Sequence, residues 1–194
     1  MTGDTKGYQS VIWREGKWVL LRPHQESDLP QYQRWINDPE NNVYLMRTAP
    51  VSWTDQTAWY ERASKDNADL VSVAVCLRDG TLIGNMFLGI NRVKQSAETG
   101  TLIGAKEHQG KGYATEAKML ILDYAFNWLG LRKVTSRILD FNKRSQRYAE
   151  KCGYRHMATI EQEYFRDGRW LDELHFVVFR DDWLPLWEEY AQEL

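Results

Sequence analysis

The stretch Gln109-Gly110-Lys111-Gly112-Tyr113-Ala114-Thr115 lies between an apolar strand pattern and a helical one, and it constrains this chain more than any other feature. Upstream, Glu98-Thr99-Gly100-Thr101-Leu102-Ile103-Gly104-Ala105 alternates as a strand does. Downstream, Ala117, Leu120, Ile121, Tyr124, Ala125 and Trp128 recur with helical spacing. A glycine-rich turn at a helix N-terminus leaves several backbone N–H groups without intrahelical partners and aims them at one spot. The helix dipole adds partial positive charge there. Glycines let the backbone approach an anion with no Cβ in the way. The pattern therefore predicts a phosphate or pyrophosphate site at the start of this helix.

Two phosphate loops fail on spacing. A Walker-type loop needs four residues between its first Gly and the Gly-Lys pair, then Ser or Thr for magnesium. Here five residues separate Gly104 from Gly110, and Gly112 follows Lys111. A dinucleotide loop needs a third glycine where Thr115 stands, and an acidic residue about 20 positions later. The chain offers the basic Leu131-Arg132-Lys133 in that region, which cannot hold a ribose diol.

A third pattern, Gln/Arg-x-x-Gly-x-Gly/Ala, matches Gln109 to Ala114. Further along, Asn142-Lys143-Arg144-Ser145-Gln146-Arg147-Tyr148-Ala149-Glu150-Lys151-Cys152-Gly153-Tyr154 is similar to an Asn-x-x-Ala/Ser-x-x-x-Tyr-x-x-x-Gly-Phe segment with one shortening, two residues standing between Ser145 and Tyr148 and four between Tyr148 and Gly153; the chain opens with Val19-Leu20-Leu21-Arg22-Pro23 ahead of an acid-rich helix. On these residues the chain resembles the GNAT superfamily of acetyl-CoA-dependent N-acetyltransferases, in the branch of the RimJ/RimL ribosomal-protein acetyltransferases and the spermidine acetyltransferases. The resemblance spans about residues 17–183. It implies a single α/β domain of GNAT fold, with a mixed, splayed central sheet of about six to seven strands flanked by helices. Residues 1–16 would then form an N-terminal arm, and 184–194 a C-terminal helical tail packed on the domain.

Composition sets the outer bounds. A chain of 194 residues with 43% apolar content is long enough for one well-buried core. A net charge of −2 gives no electrostatic case for nucleic acid. No run approaches the ~20 apolar residues that cross a bilayer, and polar Met1 to Ser10 lacks a signal-peptide core. Cys76 and Cys152 form no disulfide framework or metal set. A cytoplasmic protein without membrane, metal or nucleic-acid partners is expected.

Local patterns predict the elements. Lys17–Arg22 reads as a first strand; Ser27 and Ser52 read as caps of helices reaching about Asp38 and Lys65. Strands follow over 70–77, 81–90, 98–105 and 133–139. A helix begins at Asn142, two strands flank the Asp167-Gly168 turn, and a last helix runs from Asp181. Residues 37–50 read as loop. Gly100 and Gly104 fit either a bulge that parts two strands or simple close packing. The segment Trp183-Leu184-Pro185-Leu186-Trp187 fits packing on the domain or pairing of two subunits as a homodimer.

The resemblance also assigns roles. Acetyl-CoA would be the cosubstrate, its pyrophosphate on the backbone of Gln109, Gly110, Gly112, Tyr113, Ala114 and Thr115, with Lys111 adding charge. Its pantetheine arm would lie beside Leu102, Ile103 and Gly104. Asn142 would cap its helix and bond the same arm. Tyr148 would be the general acid: a phenol with pKa ~10 is protonated at neutral pH and can deliver to a nascent thiolate. Glu98 would be the base that takes a proton from the acceptor amine; His108 and Glu107 are expected on the solvent side of the loop, and His175 in a structural place. The acceptor would lie between the first two helices and the final hairpin, near Trp35, Glu40, Tyr44 and Tyr164. Carboxylates with aromatic walls suit a cationic amine. The expected activity is N-acetylation of a protein N-terminus or of a small cation such as a polyamine or aminoglycoside. A silent acyl-CoA-binding module and an O-acetyltransferase are the rival readings.

Overall fold

One break in strand pairing organises the fold. The computed structural model describes residues 11–192, so most of the expected 1–16 arm and the last two residues of the tail lie outside the described residues. The strands are β1 (Arg14–Glu15), β2 (Val19–Arg22), β3 (Leu70–Leu77), β4 (Leu82–Asn91), β5 (Ser96–Ile103), β6 (Lys133–Leu139), β7 (Arg155–Arg166) and β8 (Arg169–Phe179). They form one sheet of order β1-β2-β3-β4-β5-β6-β8-β7. Every pairing is antiparallel except β5 with β6, which is parallel and lasts only from Ser96↔Lys133 to Glu98↔Thr135. Beyond Glu98 both strands continue but part. Side chains bridge the widening gap: Ser136 Oγ donates to Thr99 O at 3.2 Å.

Among the described residues the sheet has eight strands rather than six or seven. The extra one, β1, is a two-residue edge piece within the expected arm, too short to show a period-two pattern. Gly100 marks no bulge, because the β4–β5 register runs unbroken from Asn91↔Ser96 to Gly84↔Ile103. Gly104 follows the end of β5, where its N–H and that of Ala105 both donate to Ile83 O on β4, a local bulge. Close packing calls for glycine at both positions. A Cβ on Gly100 would come within 2.2 Å of the Phe87 ring, and one on Gly104 within 2.2 Å of the Trp35 ring.

The helices are α1 (Leu29–Asn37), α2 (Pro39–Asn42), α3 (Trp53–Ala63), α4 (Tyr113–Asp123), α5 (Lys143–Lys151) and α6 (Arg180–Ala191). Ser52 caps α3 in a capping box with Asp55, as its sequence spacing predicts. Ser27 does not cap α1. A short 3-10 turn intervenes, and its Asp28 carboxylate is held by Arg22 through two 2.7 Å bonds in a buried pair. The 37–50 stretch contains α2, capped by Asp38. The long helix predicted to Trp128 ends as α-helix at Asp123 and closes in a π-turn over Tyr124–Trp128.

Period-two burial sorts the sheet. Val19, Leu21, Val73, Val75, Met86, Leu88 and Ala97 share one core with Ala117, Leu120 and Ile121 of α4. The first turn of α4 is fastened by a buried carboxylate. Glu116 accepts from the backbone N–H groups of Lys17, Trp18 and Val19 and from the Tyr190 hydroxyl of α6. Gly16 permits this approach, since a Cβ there would lie 2.7 Å from the Glu116 carboxyl carbon. Trp183 is fully buried against Phe126 and stacks on Trp187, so the start of α6 packs on the domain.

His24 is 7% exposed and bonded through both ring nitrogens, to Tyr32 OH and Ser72 Oγ at 2.9 Å each. Burial, helped by the Arg22 charge, pushes its pKa down to about 4. The unfolded chain then binds more protons than the folded one between pH 6.5 and 4. Stability is full above that window and is lost as pH falls through it. This site is expected to cost about 3 kcal/mol between pH 7 and pH 4. Denaturant melts of wild type and His24→Gln at both values test it; equal losses in the two proteins would contradict it.

Candidate active site

A cavity of about 440 Å³ opens where the C-terminal end of β5, the glycine loop and α5 converge. Its floor is Thr101, Leu102 and Ile103 of β5. One wall is the loop, where Gly110 and Gly112 have φ of +74° and +90°. A Cβ would meet nothing within 4 Å at either glycine, so backbone conformation and open access, not crowding, call for glycine there. Gly112 is the N-cap of α4, and the first helical bond of that turn runs from Glu116 N to Gly112 O. Tyr113, Ala114 and Thr115 therefore present N–H groups at the cavity edge, with the positive end of the helix dipole behind them.

The loop is braced from three sides. Gln109 Nε2 donates to Ile103 O (2.7 Å) and to Asn41 Oδ1 (3.2 Å), while its Oε1 accepts from Arg144. Asn41 in turn donates to Gly104 O at 3.1 Å. The opposite wall is α5. Asn142 Oδ1 accepts from Ser145 N, the cap expected of it, and the residue also lines the cavity. Arg144, Arg147 and Lys151 follow along the same wall.

Tyr148 lines the cavity, and its hydroxyl bonds Thr101 Oγ1 at 2.9 Å. Burial holds its pKa well above the usual phenol value, with the Thr101 bond opposing. The proton is thus firmly retained in the resting site.

Of the residues expected here, Leu102, Ile103, Gln109, Gly110, Gly112, Tyr113, Ala114, Thr115, Asn142, Tyr148 and Tyr44 line this cavity. Gly104 and Lys111 do not; Gly104 is the shelf on which Trp35 packs, and Lys111 is exposed on the outer side of the loop. Trp35 is a core residue at 5% exposure rather than part of an open acceptor wall. Glu40 faces solvent and shares Lys106 with Asp38. Tyr164 donates to Glu173 Oε2 at 2.7 Å outside the cavity, and burial with this carboxylate contact pushes its pKa up to about 12.

Glu98 also lies outside the cavity. It is paired with Arg137 at 2.9 Å, on the face of β5 opposite to Thr101 and Tyr148. His108, expected on the solvent side, instead lines the cavity and stands 6.1 Å from the Tyr113 ring. His175 bonds Glu173 Oε1 at 2.6 Å, beside Arg137. Sequence reading passed over Asn41, Arg144, Arg147 and Lys151. The basic i, i+3, i+7 spacing of the last three along α5 was a readable signal; Asn41 gave none.

Glycines with free approach, an unpaired helix turn and three cations on the facing wall fit a diphosphate-bearing cosubstrate. Residues 19–155 match the family described as Acetyltransferase (GNAT) domain. The chain is 29% identical over 171 residues to a spermidine N(1)-acetyltransferase of Escherichia coli K12, covering 86% of this chain and 88% of that protein. It is 30% identical over 180 residues to a probable N-acetyltransferase of Bacillus subtilis, covering 87% and 97%. Among solved structures it is similar to the spermidine N-acetyltransferase of Vibrio cholerae in complex with CoA and spermine, with TM-score 0.78, 28% identity and coverage of 86% and 98%. Fold, cavity and sequence agree: the chain belongs to the GNAT family and is an acetyl-CoA-dependent N-acetyltransferase.

Proposed function

We propose that this enzyme acetylates a primary amine of a small polyamine, with Tyr148 as general acid and Glu98 as the proton acceptor on the amine side. The observation that carries the chemistry is the Tyr148 hydroxyl held by Thr101 on the wall of the loop cavity. Acetyl-CoA supplies a thioester whose carbonyl carbon accepts the amine and whose sulfur leaves. The amides of Gly110 to Thr115 bind its diphosphate, and Arg144, Arg147 and Lys151 add positive charge. The free edge of β5 beyond Glu98 receives the pantetheine arm as an extra strand would. Tyr148 keeps a proton for the departing sulfur.

Glu98 sits where β5 and β6 begin to part, on the opposite face. An acceptor entering from that face and a thioester held on the Tyr148 face would meet through the gap. Glu98 is salt-bridged to Arg137 and lies outside the cavity, so it takes the amine's proton through water.

The polyamine assignment rests on near full-length similarity to spermidine acetyltransferases, one of them solved with CoA and spermine. A protein N-terminus is the second reading, favoured by one feature. Arg144 lies over the Tyr44 ring and Arg169 over Phe141, covering aromatic faces that would otherwise take a cation. Tyr44 and Phe141 stack with centroids 5.8 Å apart.

CoA release measured across spermidine, spermine, an aminoglycoside and an N-terminal peptide separates these readings. A polyamine kcat/KM at least about tenfold above the others is expected, a gap of roughly 1.4 kcal/mol. A preferred peptide would replace the assignment, and an ester rather than an amide in product mass spectra would overturn N-acetylation.

Tyr148→Phe is expected to lower kcat by about 100-fold with KM for acetyl-CoA changed less than about threefold. A kcat equal to wild type would remove Tyr148 from the acid role. Gly112→Ala imposes a left-handed conformation that costs an alanine about 1–2 kcal/mol. It is expected to raise KM for acetyl-CoA roughly tenfold with little change in kcat; unchanged KM would take the loop out of cosubstrate binding.

A further inference from the structure

Beneath Tyr148 lies a lysine that nothing so far has used. Lys118, on the second turn of α4 and bonded to β5, has 0% exposure. Its ammonium makes a 2.5 Å bond to Thr99 Oγ1. It also stands 5.3 Å from the centroid of the Tyr148 ring and 5.4 Å from that of Tyr154. The groups facing it are Thr99 from β5, Tyr148 from α5, Cys152 just after α5 and Tyr154 just before β7. Tyr154 OH completes the cluster with a 3.1 Å contact to Thr99 Oγ1. No carboxylate pairs with Lys118 among the described residues.

An ammonium buried without a counter-charge is costly, and an apolar residue of like volume is the ordinary solution at such a place. Aromatic faces and one hydroxyl offset only part of that cost. The missing anion would arise beside it during turnover. When the Tyr148 O–H bond breaks and an S–H bond forms on the departing sulfur, a phenolate is left on the ring that the ammonium faces.

We infer that Lys118 is a positioning residue for the acid step, its buried charge supporting the phenolate that Tyr148 becomes as it gives up its proton. The phenolate then regains a proton from solvent, matching the one the acceptor amine releases. This rests on the reading of Tyr148 as the acid. It answers a difficulty in that reading, because burial alone makes Tyr148 a reluctant donor. Burial also pushes the Lys118 pKa down to about 8, so the charge is present at neutral pH and is lost in mild alkali.

Three variants test the inference. Lys118→Met keeps the volume and removes the charge; its kcat is expected to fall about 10- to 100-fold, with CoA affinity by calorimetry and the melting temperature not reduced. Wild-type kcat is expected to decline above pH about 8 as Lys118 neutralises. That decline should be missing in Lys118→Met and shifted upward beyond it in Lys118→Arg, which also recovers part of the rate.

The double variant Lys118→Met/Tyr148→Phe is expected to be no slower than Tyr148→Phe alone. Losses that multiply in the double variant, with Tyr148→Phe slow by itself, would overturn the Lys118 inference and leave the acid assignment standing. A Tyr148→Phe enzyme as fast as wild type would overturn both. An unchanged kcat and pH profile in Lys118→Met would overturn the inference whatever Tyr148 does.

Discussion

The parting of β5 from β6 after Glu98 and Thr135 is the constraint on which the rest of this molecule depends. A parallel pair normally continues its ladder while both strands last, because unpaired backbone groups inside a protein are costly. Here the ladder stops and β5 keeps a free edge. Side chains take over where the backbones separate: Ser136 reaches Thr99, and Thr135 reaches Ala97. What remains open beyond them is the floor of the cavity. Helix α4 leaves β5 through the glycine loop and α5 follows β6, so the two helices bring their chemistry to the same gap from consecutive connections.

The loop and α5 are coupled by short polar contacts rather than by apolar packing. Gln109 touches Ile103 on the strand, Asn41 on α2 and Arg144 on α5. One side chain thus registers three elements around the mouth. On the inner side, Thr99 and Thr101 alternate along the same face of β5 and take hydroxyl or ammonium partners from α4 and α5. This row of polar contacts in an otherwise apolar face sets the height of Tyr148 relative to the strand.

Much of this was legible from the chain alone, and the reasons differ by element. The loop could be read because glycine at positive φ leaves few alternatives, as Gly110 and Gly112 show. Tyr148 and Asn142 could be read because a cap and a helical repeat fix their relative placement. The acceptor side was much less legible. Trp35 is amphipathic in pattern, yet it is drawn into the core by a contact with Gly104 that lies far away in sequence. Glu40 is claimed by Lys106, and Glu98 by Arg137; such pairings depend on tertiary placement and leave no local trace. Asn41 was invisible for the same reason, since its partners Gly104 and Gln109 come from the other end of the fold.

Glu116 joins three regions through one carboxylate. Its carboxylate is shared by the tight turn ahead of β2 and by the closing helix of the chain, and its own backbone belongs to the turn that would grip the coenzyme diphosphate. Ordering that turn by occupancy and docking the two chain extremities therefore draw on one hinge point. Loss of the terminal helix would be felt as slackness in the nucleotide cradle, although no residue of that helix reaches it.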